Sequence, residues 1–309
     1  MTARMLLAGL CLLCGVAGAV ELQDARGKPV ALARPAARIV ALAPHVAELV
    51  FAAGAGAKLV GVSAYSDYPA AAARIPLIGD FGRVDLERVL RLKPDLVIGW
   101  KSGNRAGDME KLEQLGLPVF ATEPRRLADI PRLLREIGML AGTQATAERA
   151  AAAFESELGM LETRYRGARP VSVFYEIWHE PLMTLNDEHI IGDAIRLCGG
   201  RNIFGALSAL TPTVSMENVL AADPEAIVAS GSLYNDKRLL EAWKRFPQLR
   251  AVARRHLFQI HPDLIQRPTP RILQGVRVMC EQLETVRKAG DATSRPQAAT
   301  AHPPLQRGG

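Results

Sequence analysis

The sequence predicts an α/β protein of two lobes, each with a parallel-sheet α/β layer, joined by a single long α-helix. Three observations support this prediction: short β-branched segments alternate with helical ones, one long helix separates two sets of such segments, and one motif occurs in both sets. Alternating strands and helices are typical of parallel sheets in α/β layers. A ligand cleft is expected between the two lobes, which is the usual place for a small-molecule site.

The strand candidates are short runs rich in Val, Ile and Leu, and they form two sets along the chain. Runs of this composition that alternate with helical segments are typical of strands. The first set comprises residues 38–43, 58–63, 95–99 and 118–122, and the second comprises residues 170–175, 226–230 and 256–260.

The segment between the two sets predicts one long helix. Thr143 or Thr146 can cap its N-terminus, and Gly167 and Pro170 end it. A helix of roughly 20 residues is about 30 Å long, which suits a rigid connection between lobes. The alternative is an ordinary helix packed on one sheet. Its apolar face follows helical spacing and consists of Ala150, Phe154, Leu158, Leu161 and Tyr165.

A repeated motif indicates that the two lobes are alike. Residues 84–90 read VDLERVL and residues 214–220 read VSMENVL, and each is followed by a Pro turn and an apolar run at the same offset of 130. Asp85 and Ser215 can each cap a helix, with Glu87 and Glu217 in the first turn. We therefore expect an N-terminal lobe at residues 20–142, a linking helix at 143–168 and a C-terminal lobe at 169–287.

The N-terminus has the three parts of a secretory signal peptide at residues 1–19. Arg4 supplies the positive charge, residues 5–16 are apolar, and residues 17–19 read AGA. The apolar run is shorter than the about 20 residues that span a bilayer. A buried N-terminal helix is one alternative. A lipoprotein anchor at Cys11 or Cys14 is another, although a leucine precedes each cysteine where a small residue is expected.

The C-terminal segment 288–309 is rich in Gly, Pro, Ser, Thr, Ala and Gln and shows no apolar period. Such a composition cannot bury a core, so this segment is expected to be a disordered tail. The net charge of +6 does not indicate a nucleic-acid partner, because basic and acidic residues are interspersed and form no basic stripe with aromatic residues.

Two cysteines, Cys198 and Cys280, remain after the signal segment. In an oxidising compartment an even number of cysteines predicts a disulfide, and two buried free thiols are the alternative.

Motifs for catalysis are absent from the sequence. It has no G-x-S-x-G elbow, no H-E-x-x-H and no phosphate-binding P-loop. His45, His179 and His261 each follow a predicted strand, and three imidazoles with a carboxylate would suit Zn or Mn. Their spacing is not that of a local ligand motif, so we expect no metal site and no catalytic site.

Aromatic residues instead follow several of the predicted strands. Such side chains, next to Gly and polar residues, fit a large flat ligand that is held by apolar area and a few hydrogen bonds. Core packing is the alternative for any one of them. They are Tyr65, Tyr68, Phe81, Trp100 and Trp178.

These segments resemble the class III, helix-linked substrate-binding proteins of ABC importers, and in particular their cobalamin-binding branch. The resemblance runs from about residue 38 to residue 286. KPDLV is general to the superfamily, whereas YSDYP and W-x-x-G-N are more specific to the branch. The segments that carry it are GVSAYSDYP (61–69), DLER (85–88), KPDLVIGW (93–100), GN (103–104), LCGGRNIF (197–204) and PRI (270–272).

The resemblance implies roles for individual residues. Tyr65 and Trp100 match aromatic contacts to the corrin ring, and Asp263 and Arg267 match polar contacts from the second lobe. Glu87 and Glu217 match carboxylates that meet basic residues of the permease, and Cys198 and Cys280 match a disulfide. Phe81 and Thr211 stand where tryptophans are expected, and Pro44-His45 and Trp178-His179-Glu180 depart from the expected pattern.

The sequence therefore predicts a monomeric periplasmic solute-binding protein that captures cobalamin or a related corrinoid and delivers it to the permease dimer of an ABC importer at the inner membrane. No catalysis and no cofactor are expected. His45, at the end of the first strand, is a further candidate as an axial or hydrogen-bonding partner of the ligand. The alternatives are a haem or siderophore ligand in the same fold, a Zn or Mn carrier that uses the three histidines, and an enzyme.

Overall fold

The structure is a computed structural model that describes residues 19–80, 82–231 and 238–294. The predicted signal peptide lies outside the described residues except for Ala19, and so does the candidate ligand residue Phe81. The strands are β1 (Val20–Gln23), β2 (Pro29–Leu32), β3 (Ile39–Ala41), β4 (Leu59–Val62), β5 (Leu96–Trp100), β6 (Val119–Thr122), β7 (Val171–Glu176), β8 (Gly200–Asn202), β9 (Ala226–Ala229) and β10 (Leu257–Gln259). The helices are α1 (Pro44–Ala52), α2 (Leu86–Arg91), α3 (Ala106–Gln114), α4 (Asp129–Ala141), α5 (Gln144–Tyr165), α6 (Ile190–Leu197), α7 (Met216–Ala222), α8 (Arg238–Trp243), α9 (Arg250–Ala253), α10 (Pro262–Ile265) and α11 (Ile272–Ser294).

The chain divides into two compact units. Unit 1 contains the described residues up to Glu123 together with Arg135–Ala147, and unit 2 contains Pro124–Leu134 and the described residues from Glu148 onward. Both α4 and α5 are therefore divided between the units. The limits of the two lobes and of the linking helix given above stay predictions.

Each unit is built around one four-stranded parallel sheet. The strand order is β4-β3-β5-β6 in unit 1 and β10-β9-β7-β8 in unit 2. Counted in chain order within its unit, each sheet has the order 2-1-3-4. The prediction of two parallel-sheet α/β layers is confirmed, and all seven predicted strands are present.

The repeated motif adopts the same local structure in both units. Asp85 accepts a hydrogen bond from the Arg88 amide at 2.9 Å and caps α2, and Ser215 accepts one from the Asn218 amide at 3.3 Å and caps α7. Each motif then passes through a residue with left-handed φ before its proline, +47° at Lys93 and +40° at Asp223. The predicted caps are therefore confirmed.

A carboxylate holds the start of the first strand at matching places in the two sheets. Asp95 accepts from the amides of Ala37 and Arg38 at 2.9 and 2.8 Å, just before β3. Glu225, 130 residues later, accepts from the Ser172 amide in β7 at 3.0 Å. This equivalence extends the repeat beyond the residues that are identical in sequence.

Three strands were not predicted. β1 and β2 form an antiparallel hairpin, so the sheets of the described chain are not all parallel. β8 begins at Gly200. Its sequence, Gly-Arg-Asn, has no β-branched residue, and pairing with β7 rather than local composition makes it a strand.

The C-terminal helix α11 extends to Ser294. The start of the tail, predicted at residue 288, was therefore placed too early. Ala289 and Ala292 favour a helix and offset the single Gly290 in this stretch. The rest of the predicted tail, residues 295–309, lies outside the described residues.

The predicted long helix is present as α5, which has 22 residues. Four of the five residues assigned to its apolar face are buried, namely Phe154, Leu158, Leu161 and Tyr165. Ala150 is only partly buried, and its neighbour Ala151 is buried instead. Among the described helices, none combines the length and the apolar character that a membrane crossing requires.

The predicted disulfide between Cys198 and Cys280 is confirmed. Cys198 follows α6, Cys280 lies in α11, and their Cα atoms are 4.6 Å apart. Both residues are fully buried in unit 2. The bond therefore joins the C-terminal end of α6 to α11, and these two helices pack against each other in the second unit.

Candidate ligand-binding site

The candidate residues of unit 1 follow the carboxyl ends of three neighbouring parallel strands. His45 comes after β3, Tyr65 after β4, and Trp100 ends β5. Because parallel strands end at the same edge of a sheet, this edge is where α/β proteins usually place a ligand.

The loop that follows β5 forms a support for the Trp100 ring. The Asn104 side chain accepts a hydrogen bond from the Trp100 amide at 2.7 Å and donates one to the Leu42 carbonyl at 2.9 Å, so it ties β5 to the end of β3. A Cβ atom at Gly103 would lie 1.8 Å from the indole ring of Trp100. Glycine is therefore required for the loop to pass under the ring. The W-x-x-G-N motif has a geometric purpose, which is to hold a partly exposed indole in one position.

His45 packs against the same ring. Its imidazole meets the Trp100 indole edge to face, with ring centroids 5.0 Å apart and an interplanar angle of 89°. His45 is buried, with 4% of its surface exposed. This contact gives His45 a role in fixing Trp100, and its predicted direct contact with the ligand stays a prediction.

Tyr65 occupies a tight turn with a left-handed backbone. Its φ is +65°, and its carbonyl accepts a hydrogen bond from the Asp67 amide at 3.1 Å. A bulky residue rarely adopts this conformation, and such strain is concentrated at functional sites. Tyr65 is 71% exposed. The turn thus presents a large aromatic ring to solvent, which is what a ligand contact requires.

In unit 2, the loop after β7 presents Trp178. The Ile177 amide donates to the Met183 carbonyl and the Met183 amide donates to the Trp178 carbonyl, which closes the loop. The Trp178 Nε1 donates to the backbone oxygen of Glu180 at 2.8 Å. Trp178 remains 44% exposed, so the loop holds this residue in place without burying it.

A buried carboxylate that sequence reasoning missed supports this loop. Glu176, the last residue of β7, is 1% exposed, and its Oε1 lies 2.8 Å from His179 Nδ1. Its Oε2 accepts a hydrogen bond from Trp243 Nε1 at 2.6 Å. Burial raises the pKa of the Glu176 carboxyl, and the hydrogen bonds from Trp243 and His179 oppose that rise. The signal in the sequence that could have indicated this carboxylate is a Glu at the end of an apolar strand.

A second set of hydrogen-bonded polar side chains lies at the carboxyl ends of β7 and β9. The Tyr175 hydroxyl donates to the Ser230 hydroxyl, and Gln266 donates to the same hydroxyl at 2.9 Å and to the Ser230 carbonyl. Burial raises the pKa of Tyr175, so this phenol stays protonated. These bonds attach the segment after α10 to the sheet.

Asp263 in α10 and Arg267, two residues after α10 ends, form an ion pair. The Arg267 guanidinium lies 2.9 Å from Asp263 Oδ1, and the Arg267 side chain is mostly buried. Asp263 is in the first turn of α10, where the His261 ring caps the helix by accepting from the Asp263 amide at 3.1 Å. The structure brings these two predicted residues together at the carboxyl end of β10.

The predicted docking carboxylates occupy equivalent exposed positions. Glu87 is in the first turn of α2 and Glu217 in the first turn of α7. The pKa of Glu217 is lowered by its own backbone amide and by the Ser215 hydroxyl. Glu87 lies 4.0 Å from Arg91, one turn further along its helix.

The histidine set that was considered for Zn or Mn is not assembled in the described part of the chain. There, no three His, Cys, Asp or Glu side chains are grouped so that they could hold a metal ion. The carrier alternative therefore has no ligand cluster among these residues.

These features define a solute-binding protein fold, and the chain belongs to the periplasmic binding protein family, whose model matches residues 39–264. It is 34% identical over 254 residues to the vitamin B12-binding protein of Vibrio parahaemolyticus, an alignment that covers 82% of this chain and 92% of that protein. Among solved structures, it is similar to the periplasmic vitamin B12 binding protein BtuF of Vibrio cholerae, with a TM-score of 0.77, 35% identity, and coverage of 82% of this chain and 99% of that one. The haem-binding protein RhuT from Roseiflexus shares the fold, with a TM-score of 0.71 at 23% identity, over 81% of this chain and 98% of that one.

Proposed function

We propose that this chain captures cobalamin or a related corrinoid in the periplasm and delivers it to an ABC importer, without catalysing a reaction. The observation that carries the proposal is the Trp100 support, in which Gly103 and Asn104 hold a partly exposed indole at the carboxyl edge of a parallel sheet. A flat macrocycle with polar substituents matches an aromatic surface with a few polar groups near it. Similarity to vitamin B12-binding proteins over most of the chain supports the same ligand.

The residues of unit 2 fit this ligand class as well. Trp178 offers a second exposed indole, and the Asp263–Arg267 pair offers charged groups for amide substituents. The predicted cleft between the lobes stays a prediction, as do the monomeric state and the signal peptide that would export the chain. A haem or siderophore ligand is supported by likeness of fold alone.

A competition experiment separates these ligands. The purified protein is mixed with equal amounts of cyanocobalamin and haemin, free ligand is removed by gel filtration, and the visible spectrum of the protein peak is recorded. We expect the corrinoid bands and no haem Soret band. A protein peak that carries haem alone would refute the proposed ligand.

Delivery to an importer is expected to depend on Glu87 and Glu217. Each Glu alone is explained by the helix dipole, since an acidic residue in the first turn stabilises a helix by about 0.3–1 kcal/mol. That explanation does not account for two exposed carboxylates at the same point of a structural repeat. Paired, like-placed charges suit a two-fold symmetric permease, and rim charges of this kind act on orientation and association rate.

The Glu87→Ala/Glu217→Ala double variant should bind corrinoid as the wild type does, yet associate more slowly with the importer and support slower uptake, most clearly at low salt. Reconstituted vesicles provide the measurement. The matched control is Glu110→Ala/Glu162→Ala, which removes one exposed carboxylate from each unit at unrelated positions. Equal uptake by both double variants would leave the two first-turn glutamates with a role in helix stability only.

A further inference from the structure

We infer that His179 coordinates the metal centre of the bound macrocycle, the cobalt ion of a corrinoid, through its Nε2 atom; this inference rests on the proposed function. It depends on the contacts of Glu176, His179 and Trp243 at the end of β7. Metal-binding histidines characteristically donate their other ring N–H to a carboxylate, which fixes the tautomer and raises the basicity of the ligating nitrogen. Glu176 and His179 form this arrangement, with 2.8 Å between Oε1 and Nδ1.

Trp243 fixes the orientation of the Glu176 carboxyl group. An indole N–H can only donate, so Glu176 Oε2 must accept from it, at 2.6 Å. When Glu176 is ionised, its Oε1 accepts as well, and His179 Nδ1 then carries the proton of that hydrogen bond. Nε2 is left with its lone pair, and no hydrogen bond among the described residues uses it. The ring is thus held in one orientation, and in this tautomer its Nε2 atom can coordinate a metal ion.

The other histidines of the described chain are less suited to this role. The Nδ1 atoms of His189 and His261 accept from backbone amides, so their Nε2 atoms carry the proton. His45 and His256 are buried, each with 4% of its surface exposed. The side chain of His179 is 28% exposed, and it is adjacent to the exposed indole of Trp178. Of the described histidines, His179 alone combines a donating Nδ1 with access from solvent.

The step is a ligand substitution without redox change. The Nε2 lone pair forms a Co–N bond, and the water molecule bound to Co(III) leaves with its own electron pair. The Nδ1 proton remains in its hydrogen bond with Glu176. A corrinoid whose axial position holds an exchangeable water can react in this way, whereas one with a firmly bound cyanide cannot.

Two variants separate coordination from loop structure. In Glu176→Gln, the amide oxygen must accept from Trp243, so the amide N–H₂ faces Nδ1 and forces the ring proton onto Nε2. Shape and hydrogen bonding are retained while coordination is blocked. The matched control is Glu180→Gln in the same loop, where the hydrogen bond with Trp178 uses only the backbone oxygen of Glu180.

The test is a visible-absorption titration of the purified protein and its variants with aquocobalamin and with cyanocobalamin. For the wild type and Glu180→Gln, we expect the aquocobalamin bands to shift on binding, as they do when imidazole replaces water, with no shift for cyanocobalamin. For His179→Ala and Glu176→Gln, we expect no shift and an affinity for aquocobalamin that falls about 10–100-fold relative to cyanocobalamin. Cyanocobalamin binding by each variant reports that it is folded.

The outcomes distinguish this inference from the proposed function. If the wild type binds cyanocobalamin but aquocobalamin shows no band shift, or if His179→Ala keeps the shift, the coordination is wrong and the corrinoid-binding function stands. If Glu176→Gln behaves as Glu180→Gln does, the positioning role of Glu176 is wrong. If the wild type binds neither corrinoid, the proposed function and this inference fail together.

Discussion

Replacing Cys198 and Cys280 by alanine is expected to lower the free energy of unfolding by about 2–5 kcal/mol. The disulfide closes a loop with a sequence separation of 82 residues, so its loss restores a large conformational entropy to the unfolded chain. Alanine rather than serine is the substitution of choice, because both sites are fully buried and an unpartnered hydroxyl there would add its own cost. Urea unfolding under non-reducing conditions measures the difference.

The control for this prediction is the wild-type protein in the presence of a reductant. Reduction should bring its unfolding midpoint close to that of the double alanine variant, since the two then share an open chain. Unfolding curves that coincide for oxidised wild type and variant would contradict the prediction. Mass spectrometry that finds two free thiols in exported protein would contradict the bond itself.

Replacing Trp100 by alanine is expected to weaken corrinoid binding by about 1–3 kcal/mol, the range for a large aromatic contact at the centre of a binding surface. Several residues hold this ring, because Asn104 fixes its backbone, Gly103 allows the loop to pass close to it, and the His45 ring packs against it in a T-shaped pair. Gly103→Ala should give a smaller loss of affinity, since its Cβ would displace the ring without removing it. Equilibrium dialysis with cyanocobalamin provides the measurement.

The matched control for Trp100→Ala is Met160→Ala, which removes an exposed apolar side chain of α5 that lies outside the candidate site. It should bind cyanocobalamin as the wild type does. A Trp100→Ala protein that binds as tightly as Met160→Ala would remove Trp100 from the site.

Much of the fold could be predicted because its signals are local. The strands β3, β5, β7 and β9 are apolar runs that pair in the centre of a parallel sheet, and burial on both faces demands that composition. β8 lies at a sheet edge and its sequence, Gly-Arg-Asn, contains no apolar side chain, so it leaves no such signal. The end of α11 was placed too early because average composition was weighed above the helix propensity of individual residues.

The candidate site was predictable in part for a topological reason. In a parallel sheet, residues that follow different strands meet at one edge, so aromatic residues at strand ends could be grouped without knowledge of side-chain contacts. The hydrogen bonds by which Glu176 and Trp243 position His179 could not be predicted in this way. Glu176 and Trp243 are separated by 67 residues, and only the packing of unit 2 brings the indole N–H to the carboxylate.

Calorimetric titration of the purified protein with cyanocobalamin, with haemin and Zn²⁺ titrated in parallel, tests the central claim most directly. The account predicts saturable binding of cyanocobalamin at one molecule per chain, and no comparable heat from haemin or Zn²⁺ at the same concentrations. Saturable binding of haemin or Zn²⁺ together with no binding of cyanocobalamin would contradict it.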